Sequence, residues 1–309
     1  MIDRAEPRTD ADGRPAIDPG PDIPLWAQAA LTDFPREERV PVGGTEIEAL
    51  VWGDAPAPGL LLAHGHGAHA DWWRPIAPQL VASAGRVVAY SMSGMGGSGW
   101  RDTYSFDLFE QEVIEVATRT GLLGTGRKPW LVAHSFGCLP TIMAAAKLRE
   151  AIAGIVLVDM YLPAPGRARA RPQKRGHRRY DSFAEAMARY RLSPLQPIVN
   201  PWLVDFAGAR TLRRKSDHWT WCTDPDATIG VDHDLFQARF VATPVPVVLL
   251  RGERSRLVDH EVAAHLLEVA PAGTRLIDIP DADHHVLLDQ PLALVAALRT
   301  LIQGGQYER

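Results

Sequence analysis

The sequence predicts an α/β protein, with a mostly parallel central sheet covered by helices on both faces and one long irregular insertion. Three observations carry this. Short apolar runs such as Leu60-Leu61-Leu62 and Ile155-Val156-Leu157-Val158 recur without alternation, as strands buried on both faces require. Segments of helical periodicity separate those runs. From residue 160 to 242 the rhythm stops, in a stretch rich in Arg, Pro and Trp, and afterwards it resumes.

Composition sets the frame. A chain of 309 residues accommodates one large domain with an insertion, or two small domains. A net charge of −4 argues against a general nucleic-acid binder. Two cysteines, Cys138 and Cys222, cannot form a disulfide framework and fit a reducing compartment. No apolar run approaches the roughly 20 residues that cross a bilayer, so no membrane partner is expected. Residues 1–24 are rich in Asp, Arg, Pro and Gly and lack an apolar signal core; they read as a flexible arm, and the expected location is cytoplasmic.

The elements follow in order. Residues 25–31 read as a short helix. Residues 38–42 and 47–52, separated by Gly43-Gly44, read as a β-hairpin. Residues 59–63 form a buried strand that runs into His64-Gly65-His66-Gly67. Helical periodicity over 72–82 stops at Gly85, and 86–90 is the next strand, followed by a glycine-rich turn from Ser93 to Gly99. Residues 106–120 are a helix, 130–133 a strand, 137–150 a helix, and 152–158 a strand ending at Asp159. After the insertion come a strand (246–251), a helix (259–269), a strand (274–279) and a closing helix (291–301). The divisions expected are an arm at 1–24, a core in two parts at 25–159 and 243–309, and a lid at 160–242 over the carboxyl ends of the strands, where open α/β sheets bind ligands.

Three motifs bear chemistry. In Ala133-His134-Ser135-Phe136-Gly137 a strand turns sharply into a helix, with a hydroxyl at the corner between small residues. His64-Gly65-His66-Gly67 follows a strand end. Near the C-terminus, Asp283-His284-His285 precedes Asp289-Gln290-Pro291, where the proline opens the last helix. Taken in order, these resemble the α/β-hydrolase superfamily, whose nucleophile elbow usually reads G-x-S-x-G. Ala133 stands in place of the first glycine.

The resemblance implies a serine nucleophile, Ser135, and a histidine base, His284, in the order Ser, acid, His. The acid is usually supplied by a G-x-x-D arrangement after a late strand, but that slot here reads Gly252-Glu253-Arg254-Ser255. A subset of the family carries the acid directly after the strand that follows the elbow helix, where this chain has Asp159. Asp159 is favoured, with Glu253 and Asp259 as alternatives, and Asp259 is also a natural helix N-cap. The oxyanion hole implied by the family uses the N–H groups of Phe136 and His66. Gly65, Trp72, Met95, Trp219 and Trp221 are candidates to border the substrate, although aromatics at such spacing are more often core.

A rival reading exists for His64-x-His66-x-Ala68-His69, which resembles the zinc motif of metallo-β-lactamase-like hydrolases with Ala68 where an Asp is expected. The expectation is no metal and no cofactor. The basic run Arg167, Arg169, Arg171, Lys174, Arg175, Arg178 and Arg179 reads as a solvated surface segment rather than an anion trap. The resemblance implies hydrolysis of a carboxylic ester or lactone carrying an apolar or aromatic portion. Carbon–carbon bond hydrolysis, perhydrolysis and a non-catalytic receptor share the same residues. The fold hosts many chemistries, and the oligomeric state is open.

Overall fold

The computed structural model describes residues 6–55, 58–124, 126–164 and 178–304. The chain runs α1 (Leu25–Thr32), β1 (Arg36–Val42), β2 (Thr45–Trp52), β3 (Leu60–Ala63), α2 (Ala77–Ala84), β4 (Val87–Tyr90), α3 (Phe106–Arg119), β5 (Trp130–His134), α4 (Cys138–Leu148) and β6 (Gly154–Val158). Then come α5 (Phe183–Met187), α6 (Pro201–Arg210), β7 (Leu212–Arg214), β8 (Trp219–Trp221) and α7 (His233–Val241). The chain resumes its alternation with β9 (Val247–Gly252), α8 (His260–Val269), β10 (Arg275–Ile279), α9 (Val286–Asp289) and α10 (Pro291–Gly304).

One eight-stranded sheet has the order β1-β2-β4-β3-β5-β6-β9-β10. From β4 to β10 every pairing is parallel, while β2 is antiparallel to both its neighbours. The apolar runs divide their side chains between two cores, as a period of two demands. Leu61, Ala63, Leu131, Ala133 and Leu157 face α3 and α4, with Phe109, Val113 and Ile142. Leu60, Leu62, Val132, Val156 and Val158 face α2 and α10, with Leu80, Leu294 and Leu298. Each fully buried side chain of this size contributes roughly 1.5–3 kcal/mol, so the central strands anchor the site that their ends carry.

Several expectations need correction. The helix expected over 72–82 divides into a single tight turn at Ala70–Trp73 and α2, because Pro78 fits the first turn of a helix but not its interior. Residues 160–242, expected to lack strands, contain the β7–β8 hairpin, which makes a small core of its own with Tyr180, Phe183 and Met187. That insertion touches the loops after β3, β4 and β10: Thr228 meets His66, the Asp224 N–H bonds the Gly94 carbonyl, and Gln196 Oε1 accepts from the His285 N–H. Of the basic run, Arg167, Arg169, Arg171, Lys174 and Arg175 lie outside the described residues, and Arg179 pairs with Asp217 at the surface. Among the described residues, no helix is long and apolar enough to cross a membrane.

The described part of the N-terminal arm is not free. Arg14 is 2% exposed and donates to Glu48 of β2. Asp71 accepts from Arg74 Nε at 2.7 Å and from Arg210 Nε of α6 at 2.8 Å, and Arg210 also donates to the Pro15 carbonyl. Two buried carboxylates need cations, and the arm supplies one of them.

Candidate active site

Ser135 sits where β5 hands over to α4, with φ of 53°, in the left-handed region that a non-glycine residue enters only when its surroundings force it. The forcing is visible in its neighbours. A Cβ on Gly137 would lie 2.4 Å from the His64 carbonyl oxygen, and one on Gly65 would lie 3.2 Å from Ser135 Cβ. Strand end, helix start and the 64–67 loop are thus pressed together, and the hydroxyl is left partly exposed at the corner. Ala133 is fully buried and fits without difficulty.

Asp159 also has a left-handed φ, 48°, one residue past β6. It is fully buried. Oδ2 meets His284 Nδ1 at 2.7 Å and accepts from Ser255 Oγ at 2.7 Å; Oδ1 accepts from the Gly252 N–H at 2.9 Å. Of the three carboxylates considered from sequence, this is the one bonded to His284. Glu253 instead accepts from the Asp281 N–H at 3.0 Å, and Asp259 caps α8 by accepting from the Glu261 and Val262 N–H groups. Ser255 was not singled out from sequence. It stands in the late-strand slot where the acid is usual, and a polar residue there was the available signal.

His284 is 3% exposed. Its carbonyl meets His134 Nε2 at 2.9 Å, and the two rings lie 4.9 Å apart, so the histidine loop is tied to the residue immediately before Ser135. No hydrogen bond joins Ser135 Oγ to His284; such contacts are commonly long until a substrate is bound. Burial, with the neighbouring His284, lowers His134 to about 3, so it stays neutral at physiological pH.

The 64–67 loop is fastened from beneath. His64 Nε2 accepts from the Met92 N–H at 2.9 Å, which leaves Nδ1 to donate to the Gly65 carbonyl at 2.7 Å. Burial lowers His64 to about 3, which preserves that arrangement. His66 is exposed and meets Thr228 Oγ1 at 3.0 Å, while His69 is buried against Thr211. His64 thus has both ring nitrogens committed, His66 and His69 each spend Nε2 on a threonine hydroxyl, and the three are not among the described groups whose ligand atoms converge. Among the described residues, the metal-capable side chains that come together are His134, His284 and His285.

The predicted substrate-bordering residues fare unevenly. Gly65 is beside Ser135, but Met95 is completely buried in the core beneath the sheet end. Trp219 is 1% exposed, packed on Phe183 with its Nε1 donating to Glu6, and Trp221 packs between Tyr180 and Tyr190. Both tryptophans serve the insertion's own core, because a two-stranded hairpin is marginal without apolar packing. Trp72 is buried with its ring edge-to-face against His285 at 5.5 Å. The aromatic residues at the elbow are others: Phe136 packs at 5.3 Å on Phe106, which meets Phe236 at 4.5 Å, and His66 packs edge-on to Phe136 at 5.7 Å.

Comparison with known proteins agrees with this fold. A family model described as the alpha/beta hydrolase family matches residues 60–298. Esterase Rv0045c of Mycobacterium tuberculosis is 28% identical over 281 residues, covering 87% of this chain and 90% of that protein. The crystal structure of that esterase superposes with a TM-score of 0.69 at 24% identity, covering 90% of this chain and 96% of that one. A thioesterase domain from the curacin biosynthetic pathway gives 0.72 at 21% identity, covering 87% and 99%.

Proposed function

The chain belongs to the alpha/beta hydrolase family, and from that premise we propose that it cleaves carboxylic esters or lactones through an acyl intermediate on Ser135. The observation that carries the reading is the 2.7 Å contact between His284 Nδ1 and the fully buried Asp159, tied through His134 to the strained elbow serine. With Nδ1–H donating to the carboxylate, His284 Nε2 keeps its lone pair for the Ser135 proton. The Ser135 Oγ then attacks the carbonyl carbon and the carbonyl oxygen becomes an oxyanion. His284 returns the proton to the departing alkoxide. A water deprotonated by His284 next attacks the acyl carbon, and the proton passes back to Ser135 Oγ as the acid leaves.

The oxyanion is assigned to the N–H groups of Phe136 and His66. The Gly65 carbonyl is held by His64 Nδ1 and by the Ala68 N–H at 3.2 Å. Because a trans peptide sets its N–H opposite its C=O, the His66 N–H points the other way and is available. Each such donor is worth about 3 kcal/mol of barrier. The phenylalanines at the elbow support an apolar or aromatic portion in the substrate, and the esterase relative supports an ester bond.

Ser135→Ala is expected to reduce kcat by about 10³- to 10⁶-fold while leaving the thermal midpoint in place. The check is p-nitrophenyl ester hydrolysis over a series of chain lengths alongside lactones, with a fluorophosphonate probe reporting on Ser135. Ester turnover that survives the substitution refutes the assignment. A labelled serine with no turnover of any ester or lactone points to a receptor instead.

A further inference from the structure

The backbone beside His284 is held from two sides, and one of those sides belongs to the insertion. The 284–285 peptide presents its carbonyl to His134 Nε2 at 2.9 Å and its N–H to Gln196 Oε1 at 3.0 Å. A trans peptide points these two groups in opposite directions, so the pair fixes its plane from both edges. Gln196 is itself fixed, because Nε2 donates to both carboxylate oxygens of Asp289, at 2.9 and 2.8 Å. Asp289 is 3% exposed, and its Oδ2 also accepts from the Asp283 N–H at 2.9 Å. Hydrogen bonds thus run from residue 283 through Asp289 and Gln196 to residue 285, enclosing His284. A backbone N–H only donates and a carboxylate only accepts, so the amide has one workable orientation. Leu195, Pro197, Ile198 and Val199 are exposed, while Gln196 is half-buried. With so little apolar burial, this segment is held to the body by side-chain hydrogen bonds, which include those from Asn200 Nδ2 to the Leu288 and Asp289 carbonyls at 2.8 Å.

We propose that Gln196 of the insertion is a positioning residue for the base: it fixes the 284–285 peptide from the side opposite His134, so that His284 is aimed at Ser135 only while this segment is seated on the histidine loop. Gln196 acts through the peptide and not on the reacting atoms. Without it, the His285 N–H loses its acceptor and the peptide is tied from the His134 side alone. Misplacing a catalytic group by about 1 Å costs on the order of 10²-fold in rate, so a rotation of this peptide is enough to matter. Burial pushes Asp289 up to about 6, which leaves it ionised at neutral pH and matched to the amide's donor. Of the groups acting on that carboxyl, Asp283 opposes its ionisation and His284 favours it, while the insertion faces it with the neutral Gln196 amide. The expected loss of rate rests on the proposed role of His284 as base; the holding of the peptide does not.

The test separates the two. Gln196→Ala is expected to lower kcat on a p-nitrophenyl ester by about 10- to 100-fold, with KM within about threefold of wild type. Asn200→Ala loosens the same segment without touching the 284–285 peptide and is expected to lower kcat far less. Gln196→Glu reproduces both contacts while one proton is shared between the new carboxyl and Asp289, and loses them to repulsion once that proton leaves. Its kcat relative to wild type is therefore expected to stand near unity at about pH 5.5 and to fall about tenfold by about pH 8. Proton NMR gives a readout that needs no turnover: Gln196→Ala is expected to lose the downfield His284 Nδ1–H signal to exchange with water. Equal losses of kcat in the Gln196→Ala and Asn200→Ala proteins, or a Gln196→Glu ratio that is flat with pH, overturn the assignment. If the wild-type protein turns over no ester, the hydrolase reading fails by itself and the Nδ1–H signal decides. A signal left unchanged by Gln196→Ala then overturns the positioning role.

Discussion

Two buried polar clusters hold distant parts of this chain together, and they do so in opposite ways. At the candidate active site, one carboxylate, Asp159, is shared among a histidine, a serine hydroxyl and a backbone N–H. Under the N-terminal arm, Glu48 and Asp71 are matched by full charges on Arg14, Arg74 and Arg210. Burial alone pushes the Asp71 carboxyl up, yet Arg210, Arg74 and Arg14 together hold it well below the usual carboxylate range. The first cluster keeps a movable proton beside a partly exposed hydroxyl, which suits chemistry. The second fixes charges in place and joins β2, the arm and α6, which suits structure.

The difference can be broken by substitution, and the largest effect belongs to the first cluster. Asp159→Asn is expected to reduce kcat by on the order of 10³- to 10⁴-fold, because the amide can hold His284 in the wrong tautomer. Glu253→Gln and Asp259→Asn are expected to stay within about two-fold of wild type, since neither carboxylate touches the histidine. Steady-state kinetics on a p-nitrophenyl ester decide it. A larger loss in either control than in Asp159→Asn moves the acid to the later strand.

The second cluster should respond in stability and not in turnover. Arg14→Ala leaves Glu48 buried beside Ser91 and the Gly97 N–H but without its cation. Removing one partner of a buried pair costs about 3–5 kcal/mol. Urea unfolding measures that loss, and kcat is expected to hold at temperatures below the transition. A change under about 1 kcal/mol would mean that the arm merely rests on the body.

How much of this was readable beforehand follows the same division. The elbow, the 64–67 loop and the histidine loop are local patterns, each set by a strand end, a tight approach or a helix start, so the residues that form them lie side by side in the chain. The Asp159–His284 contact was readable only because fold order brings the two together, and Ser255 emerged as the residue that fills the displaced acid's slot. The arm was not readable. Arg14, Glu48, Asp71 and Arg210 carry no local signature, and a charged residue in a Pro- and Gly-rich segment looks solvated until its partners are placed. Trp219 and Trp221 failed for a related reason: composition showed that aromatics were present, but not that a short hairpin would consume them in its own core.

The smallest expected effect sharpens the comparison from a third kind of buried group, one that is polar yet uncharged. His69 is 1% exposed, bonds Thr211 of the insertion through Nε2 at 3.0 Å, and is lowered to about 4 by burial, against some opposition from Asp71. In the unfolded chain a histidine titrates near 6.5. Between about 6.5 and 4 the unfolded state therefore binds the proton that the folded state refuses, and stability falls as the pH drops through that window. Below about 4 both states are protonated and this contribution levels off. One such group tilts the curve by at most roughly 1.4 kcal/mol per pH unit. Replacing it with a neutral amide, His69→Gln, is expected to flatten the acid limb of the unfolding free energy while leaving its value above pH 7 within about 1 kcal/mol. Denaturant melts at half-unit intervals read the slope directly. Equal slopes in the two proteins would show that His69 takes up its proton in the folded state, so that the Arg14, Arg74 and Arg210 charges around Asp71 do not exclude a further cation there.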